Sequence, residues 1–176
     1  MKKFFFVSLS ALLFLSTFFA GSVSAAAAKG PKILKFNTMI GVPDGLTGTK
    51  SQAPLRGLNG GGLPWAVADA SGELRANGHL EISVQGLVLA AGANAGSNPI
   101  ANFRGVVSCV KSDGTFANIP TGLFPATMGP ASAGGGNAEI EADLDLPQPC
   151  IAPIIFVTGP PNATNPIGAW FAATGL

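Results

Sequence analysis

The chain has 176 residues, of which 10 are basic and 9 acidic, so its formal net charge is +1. So few charges, of both signs, give no electrostatic case for a nucleic-acid or anionic-membrane partner. The 24 glycines and 14 prolines recur every few residues, and because they cost about 1 and 3 kcal/mol inside a helix, long helices are not expected.

The amino terminus is typical of a secretory signal peptide over residues 1–25. Lys2 and Lys3 give a cationic start, an apolar run extends from Phe4 to Phe19, and Val23-Ser24-Ala25 is a small-residue cleavage signal. The apolar run falls short of the roughly 20 residues that span a bilayer, although an uncleaved anchor is the alternative. We predict a mature chain without a membrane span, secreted to the medium or to the periplasm or cell envelope, depending on the host.

Residues 26–31 are predicted to be a flexible lead-in and residues 32–176 a single domain. Apolar residues recur there with the period of a strand. The predicted strands are Lys32 to Ile40, Trp65 to Ser71, Glu73 to Arg75, His79 to Gln85, Leu87 to Leu89, Asn102 to Val110, Thr115 to Ile119, Ala138 to Leu146, Ile151 to Thr158 and Ala169 to Thr174. When neighbouring segments separated by a single residue are merged, these ranges make seven to nine strands joined by turns. They predict an all-β fold, an antiparallel β-sandwich that is immunoglobulin-like or related.

Several local signals mark turns and irregularities. Asn77-Gly78 suits the type I′ turn of a hairpin, and Gly86 is predicted to mark a bulge. Pro153 lies in an apolar strand but cannot donate to a ladder, so we expect a sheet edge or a bulge there. The Gly/Pro-rich loop from Gly41 to Pro64 contains Gly60-Gly61-Gly62, which we expect to let it bend tightly over the sandwich.

Cys109 and Cys150 are the two cysteines of the chain. In an exported protein, a disulfide between them is the default expectation. A redox or nucleophilic thiol is the alternative, but there is no Cys-x-x-Cys pattern to support it.

An acidic row is formed by residues with period-two spacing, which places them on one face of a strand: Glu139, Glu141, Asp143 and Asp145. We interpret the row as a solvated face, with a calcium site or a surface for a cationic partner as the functional alternative. The row is too linear for calcium, which gathers six to eight oxygens around one point. His79, the one histidine, is expected on a solvated strand face, so we predict no metal site and no cofactor.

Catalytic signals are weak. A Ser-His-Asp hydrolase would have to use His79, and the Gly-x-Ser-x-Gly motif is absent. Hydrolysis by scattered carboxylates in or near the loops is an alternative, with Asp44, Asp69 and Glu73 as its candidates. Asp69, Glu73 or Glu81 could also supply the paired carboxylates of a glycosidase.

Trp65 and Trp170 are candidates for an aromatic platform that binds sugar rings. Carbohydrate platforms favour aromatic side chains with a polar handle, and tyrosine is absent. Core packing is the favoured interpretation for both tryptophans.

Several stretches together resemble a group of small exported bacterial β-sandwich proteins that have no known activity. They are Gly60-Gly61-Gly62-Leu63-Pro64-Trp65, Gly86-Leu87-Val88-Leu89, Val107-Ser108-Cys109, Cys150-Ile151-Ala152-Pro153-Ile154 and Trp170-Phe171-Ala172. The similarity covers most of residues 33–175 and implies a shared fold and paired cysteines, but no chemistry.

These observations predict a non-catalytic protein of the cell envelope or the medium, with a binding or structural role toward a partner that the sequence does not identify. Two alternatives stay open. One is the hydrolase described above, and the other is a subunit of an extracellular assembly joined at a strand edge near Pro153.

Overall fold

The structure is a computed structural model that describes residues 30–48 and 54–175. The predicted signal peptide and residues 26–29 lie outside the described residues. Gly30 and Pro31, the end of the predicted lead-in, bond to the sheet, because the carbonyl of Pro31 accepts from the amide of Ala76 at 2.8 Å.

Fourteen strands lie in the described residues, eight of them at least four residues long. In chain order they are β1 (Lys32–Phe36), β2 (Ile40–Gly41), β3 (Trp65–Ala66), β4 (Asp69–Arg75), β5 (His79–Gln85), β6 (Val88–Leu89), β7 (Ser97–Asn98), β8 (Asn102–Val110), β9 (Phe116–Pro120), β10 (Phe124–Pro125), β11 (Gly129–Pro130), β12 (Ala138–Asp143), β13 (Ile151–Thr158) and β14 (Trp170–Ala173). Within the described residues, Asp44–Leu46 and Ala131–Ala133 form short 3₁₀ turns in the loops.

The strands form two main antiparallel sheets. The four-stranded sheet has the order β1-β4-β5-β12, and the larger sheet has the order β10-β8-β13-β14-β2, with β9 also paired to β8. Two small ladders, β3 with β6 and β7 with β11, complete the pairing. The predicted all-β antiparallel sandwich is confirmed.

The core lies between the two sheets. Leu80 and Ile82 point inward from β5, and a Cβ placed on Gly105 of β8 would lie 3.1 to 3.2 Å from their side chains. The close fit at Gly105 shows that the two sheets pack face to face. Alternation places Phe103 and Val107 on the same side of β8, and both are fully buried.

The long loop covers the outer face of the larger sheet. Phe156 alternates with Val157, which pairs with the inward-facing Gly105, so Phe156 and its ring neighbour Trp170 lie on the side away from the four-stranded sheet. They are nevertheless 0% and 1% exposed. The segment around Gly60 pairs with Trp170, and Leu58 before it is buried. Gly60 is required where the loop folds back on itself, because a Cβ there would lie 2.1 Å from the carbonyl oxygen of Leu46. The expected tight bend of the glycine segment over the sandwich is therefore present.

Arg56 ties this loop to an irregular stretch of β13. The register of β13 against β8 shifts between Ile151 and Ile154, as expected from the proline at position 153, and Ala152 has a φ of 44°. The Arg56 guanidinium donates to the carbonyl of Ser108 at 3.1 Å and to that of Ala152 at 2.8 Å. Arg56 thus donates to one carbonyl of β8 and one of β13 beside Pro153, which has no N–H of its own.

The disulfide between Cys109 and Cys150 is confirmed. It joins the end of β8 to the residue just before β13, with the two Cα atoms 4.9 Å apart, and Cys109 is fully buried. The described residues contain no free cysteine.

Several strand boundaries differ from expectation. The break predicted between Ser71 and Glu73 is wrong, because Trp65–Ala66 pairs separately with β6 and Asp69–Arg75 forms one strand. The single strand predicted from Lys32 to Ile40 is wrong, because the chain crosses between the sheets after Phe36 and buries Met39 in the core. The acidic strand ends at Asp143 instead of Leu146, where the amide of Leu144 donates to the carbonyl of Gly78 at 3.0 Å.

Candidate cation-binding face

The solvent side of β5 and β12 gathers most of the acidic residues of the four-stranded sheet. The antiparallel register places His79 opposite Asp143, Glu81 opposite Glu141, and Ser83 opposite Glu139. Because side chains alternate along a strand, these six point to the same side, away from the buried Leu80, Ile82 and Ile140. We call them the acid face: His79, Glu81, Ser83, Glu139, Glu141 and Asp143.

His79 lies between carboxylates from both strands. Its Nδ1 is 2.8 Å from Oδ1 of Asp143, and its Nε2 is 2.8 Å from Oε1 of Glu81 and 3.8 Å from Oε1 of Glu141. The hydrogen bonds to Asp143 and then to Glu81 raise the pKa of His79 above its ordinary value. Both ring nitrogens donate only in the protonated ring, so these contacts favour the imidazolium.

The His79 side chain is more enclosed than expected for a solvated strand face. It is 13% exposed, whereas the side chains of Glu81, Glu141 and Asp143 are 41%, 73% and 83% exposed. The ring is therefore held in place by its neighbours, while the carboxylates around it remain open to solvent.

Beside this group the acid face forms a shallow depression of about 240 Å³. Hydroxyl and carboxylate groups line it, from Ser71, Glu81, Ser83, Glu139 and Glu141. The Ser83 hydroxyl donates to Oε1 of Glu139 at 2.6 Å. Gly72 and Ile82 complete the lining, so the depression offers oxygen atoms for a cationic or hydrogen-bond-donating group beside an apolar floor.

Positive charge on this sheet lies on the other two strands. Lys32 and Lys35 are on β1 and Arg75 is at the end of β4, whereas β5 and β12 contain no lysine or arginine. Glu73 of β4 forms ion pairs with both Lys32 and Arg75. The hydrogen bond from Lys32, together with the charge of Arg75, lowers the pKa of Glu73 despite its partial burial. The basic side chains of this sheet therefore lie on β1 and β4, whereas the acid face lies on β5 and β12.

The remaining predicted carboxylates lie elsewhere. Asp145 is exposed but lies beyond the end of β12, outside the ladder. Asp44 begins a 3₁₀ turn after β2, and Asp69 begins β4. Glu73, the third hydrolase candidate, is in ion pairs with the side chains of Lys32 and Arg75.

The tryptophans are placed in the core. Trp65 is 5% exposed and stacks on Phe171 with ring centroids 4.0 Å apart, and Trp170 meets Phe156 edge to face at 5.9 Å. Neither ring presents an open platform for a sugar in this structure.

No family model, curated protein or solved structure matches the chain. The resemblance to small exported bacterial proteins and the immunoglobulin-like relation therefore stay predictions. No helix within residues 30–48 and 54–175 has the length and apolar character needed to cross a bilayer.

Sequence reasoning found one half of the acid face and missed the other. The alternation of Glu139, Glu141 and Asp143 was visible, and so was the separate alternation of His79 to Gln85. What joins them is the β5–β12 register, a pairing between segments about 60 residues apart in the chain. Complementary charge between His79 and the acidic strand was the available signal for that pairing.

Proposed function

We propose that this protein is a non-catalytic β-sandwich, exported to the medium or the cell envelope, that binds a cationic partner through the acid face. The observation that carries the proposal is the β5–β12 ladder, which presents Glu139, Glu141 and Asp143 to solvent beside His79 and Glu81.

Export is supported by two independent features. The signal-peptide pattern of residues 1–25 directs the chain out of the cytoplasm. The disulfide between Cys109 and Cys150 is of the kind that persists in oxidising compartments.

A binding role is supported better than hydrolysis by the state of the reactive groups. Both cysteines are in the disulfide, so neither thiol is available as a nucleophile. Glu73 is held ionised by Lys32 and Arg75, which does not suit a general acid. The acid face, by contrast, lies on two paired strands, and its Glu141 and Asp143 side chains are open to solvent.

The test is calorimetric titration of the purified protein with hexalysine, in buffer that contains a metal chelator. We expect binding at low salt that weakens as salt is raised, since the contacts are exposed. The variant Glu139→Gln/Glu141→Gln should bind about tenfold more weakly, given up to about 1 kcal/mol for each exposed charge.

The matched control is Asp44→Asn/Asp113→Asn, which changes the net charge equally but lies away from the acid face. Equal weakening in both variants would show that net charge alone drives the binding. No binding by the unmodified protein at low salt would contradict the proposal.

A further inference from the structure

We propose that His79, Glu81 and Glu141 form a binding site for a first-row divalent metal ion of the zinc type. The inference rests on the proposed function, because it assigns a specific cation to one end of the acid face.

The positions of the donor atoms support the site. Nε2 of His79 and one carboxylate oxygen each of Glu81 and Glu141 lie within 4.8 Å of one another. Zinc bonds to nitrogen and oxygen are about 2.0–2.2 Å long, so two ligands of one tetrahedral ion are about 3.4 Å apart. Nε2 is 2.8 Å from Oε1 of Glu81 and 3.8 Å from Oε1 of Glu141, which lie on either side of that separation. Adjustments of roughly 0.5 Å in these two partly exposed side chains bring both oxygens to this separation from Nε2.

The metal ion would displace the Nε2 proton of the imidazolium, and Asp143 then orients the neutral imidazole from outside the ligand set. Its Oδ1 lies 2.8 Å from Nδ1 of His79, on the side of the ring opposite Glu81. A ligating histidine typically donates its second ring N–H to a carboxylate, which fixes the tautomer and directs the other nitrogen to the metal. Asp143 is a positioning residue in this arrangement, and the enclosed ring keeps the orientation.

The donor set selects the class of metal. Calcium takes six to eight oxygens, whereas an imidazole nitrogen with two carboxylates suits zinc and its first-row neighbours. Three protein ligands leave a position open to water or to a further ligand. The expectation of no metal site rested on His79 alone, whereas Glu81 lies two residues along the same strand and the β5–β12 register brings Glu141 beside both.

The test uses the fact that the chain has one histidine. Zinc chloride is titrated into the purified protein without chelator, and the imidazole signals are followed by ¹H NMR. We expect these signals to shift or broaden and to saturate near one equivalent, while calcium chloride at equal concentration leaves them unchanged. Absence of any change with zinc would overturn the proposal.

Variants separate ligands from their neighbours. Glu81→Gln and Glu141→Gln should weaken zinc binding at least tenfold, and Asp143→Asn about tenfold through the ring orientation. Asp113→Asn, an exposed carboxylate on another turn, should not change it. An unchanged zinc affinity in Glu141→Gln, with a native circular dichroism spectrum, would show that the ion is bound by His79 without the proposed partners and would contradict the site.

The two proposals fail separately. Hexalysine binding in chelator without any zinc effect would refute the metal site and leave the cationic surface standing. Zinc binding without hexalysine binding would restrict the acid face to the metal alone.

Discussion

Single side chains on the four-stranded sheet differ sharply in how their charge is used. Glu73 is 9% exposed and forms ion pairs with Lys32 and Arg75, so its charge is neutralised within the fold. Glu141 and Asp143, on the same sheet, expose most of their side chains. The first kind of carboxylate stabilises the sheet, and the second kind is available to a ligand.

The pH dependence of stability should reflect Glu73. Its pKa is lower in the folded state than in the unfolded chain, so its contribution is present above the unfolded pKa and is lost as pH falls through the folded pKa. We expect Glu73→Gln to reduce the free energy of unfolding at pH 7 and to flatten its decline in acid, measured by urea denaturation from pH 7 to pH 3. Glu139→Gln is the control for the same change at an exposed site. Parallel curves for the Glu73 variant and the unmodified protein would contradict the assignment.

At the scale of elements, one turn supports the acid face. The hairpin between β4 and β5 turns at Gly78, whose φ is 89°, and its carbonyl accepts from the amide of Leu144 just after β12. The turn therefore contacts the end of the strand that carries Asp143, next to the Asp143–His79 pair.

Replacing this glycine tests that contact. A Cβ at position 78 would lie 1.8 Å from the carbonyl oxygen of Leu144, whereas a Cβ at Gly114, which has a φ of 80°, would meet nothing within 4 Å. We expect Gly114→Ala to cost about 1 kcal/mol of stability from its backbone conformation, and Gly78→Ala about 2 kcal/mol or more because the clash is added. Equal losses in chemical denaturation would show that Leu144 moves away freely.

Elements with a local signal were predictable and long-range pairings were not. The hairpin at Asn77-Gly78, the irregularity at Pro153 and the alternation from Ala138 follow from neighbouring residues, and the structure confirms them. The type I′ turn expected in that hairpin is wrong, because Gly78 has a positive φ but Asn77 does not, and the amide of Gly78 donates to the carbonyl of Arg75 at 2.9 Å. The crossing of the chain between sheets after Phe36 does not, because the same alternation also fits one continuous strand. His79 and Glu81 were missed as members of the acid face since that face exists only through the register of β12 on β5.

At the scale of the whole molecule, the disulfide cross-links two adjacent strands of the larger sheet. It links β8 to the entry of β13 across a sequence separation of 41, and the irregular register of β13 lies beside it. The bridge therefore holds two central strands together where their ladder is interrupted.

Removing the bridge should lower stability without abolishing the fold class. In the chain-entropy model a closed loop of this length contributes about 4 kcal/mol, so Cys109→Ala/Cys150→Ala should lose roughly that amount in urea denaturation. Reduction of the unmodified protein should give a similar loss. A change below about 1 kcal/mol in both would indicate that Arg56 and the covering loop already hold this part of the sheet.

The account depends most on the acid face being the surface that binds. The direct measurement is a map of backbone amide shifts in ¹⁵N-labelled protein during titration with hexalysine in chelator. The account predicts shifts concentrated on residues 79–85 and 138–143, with little change on β1 and on the outer face of the larger sheet. Shifts centred on other strands, or none at saturating peptide, would contradict it.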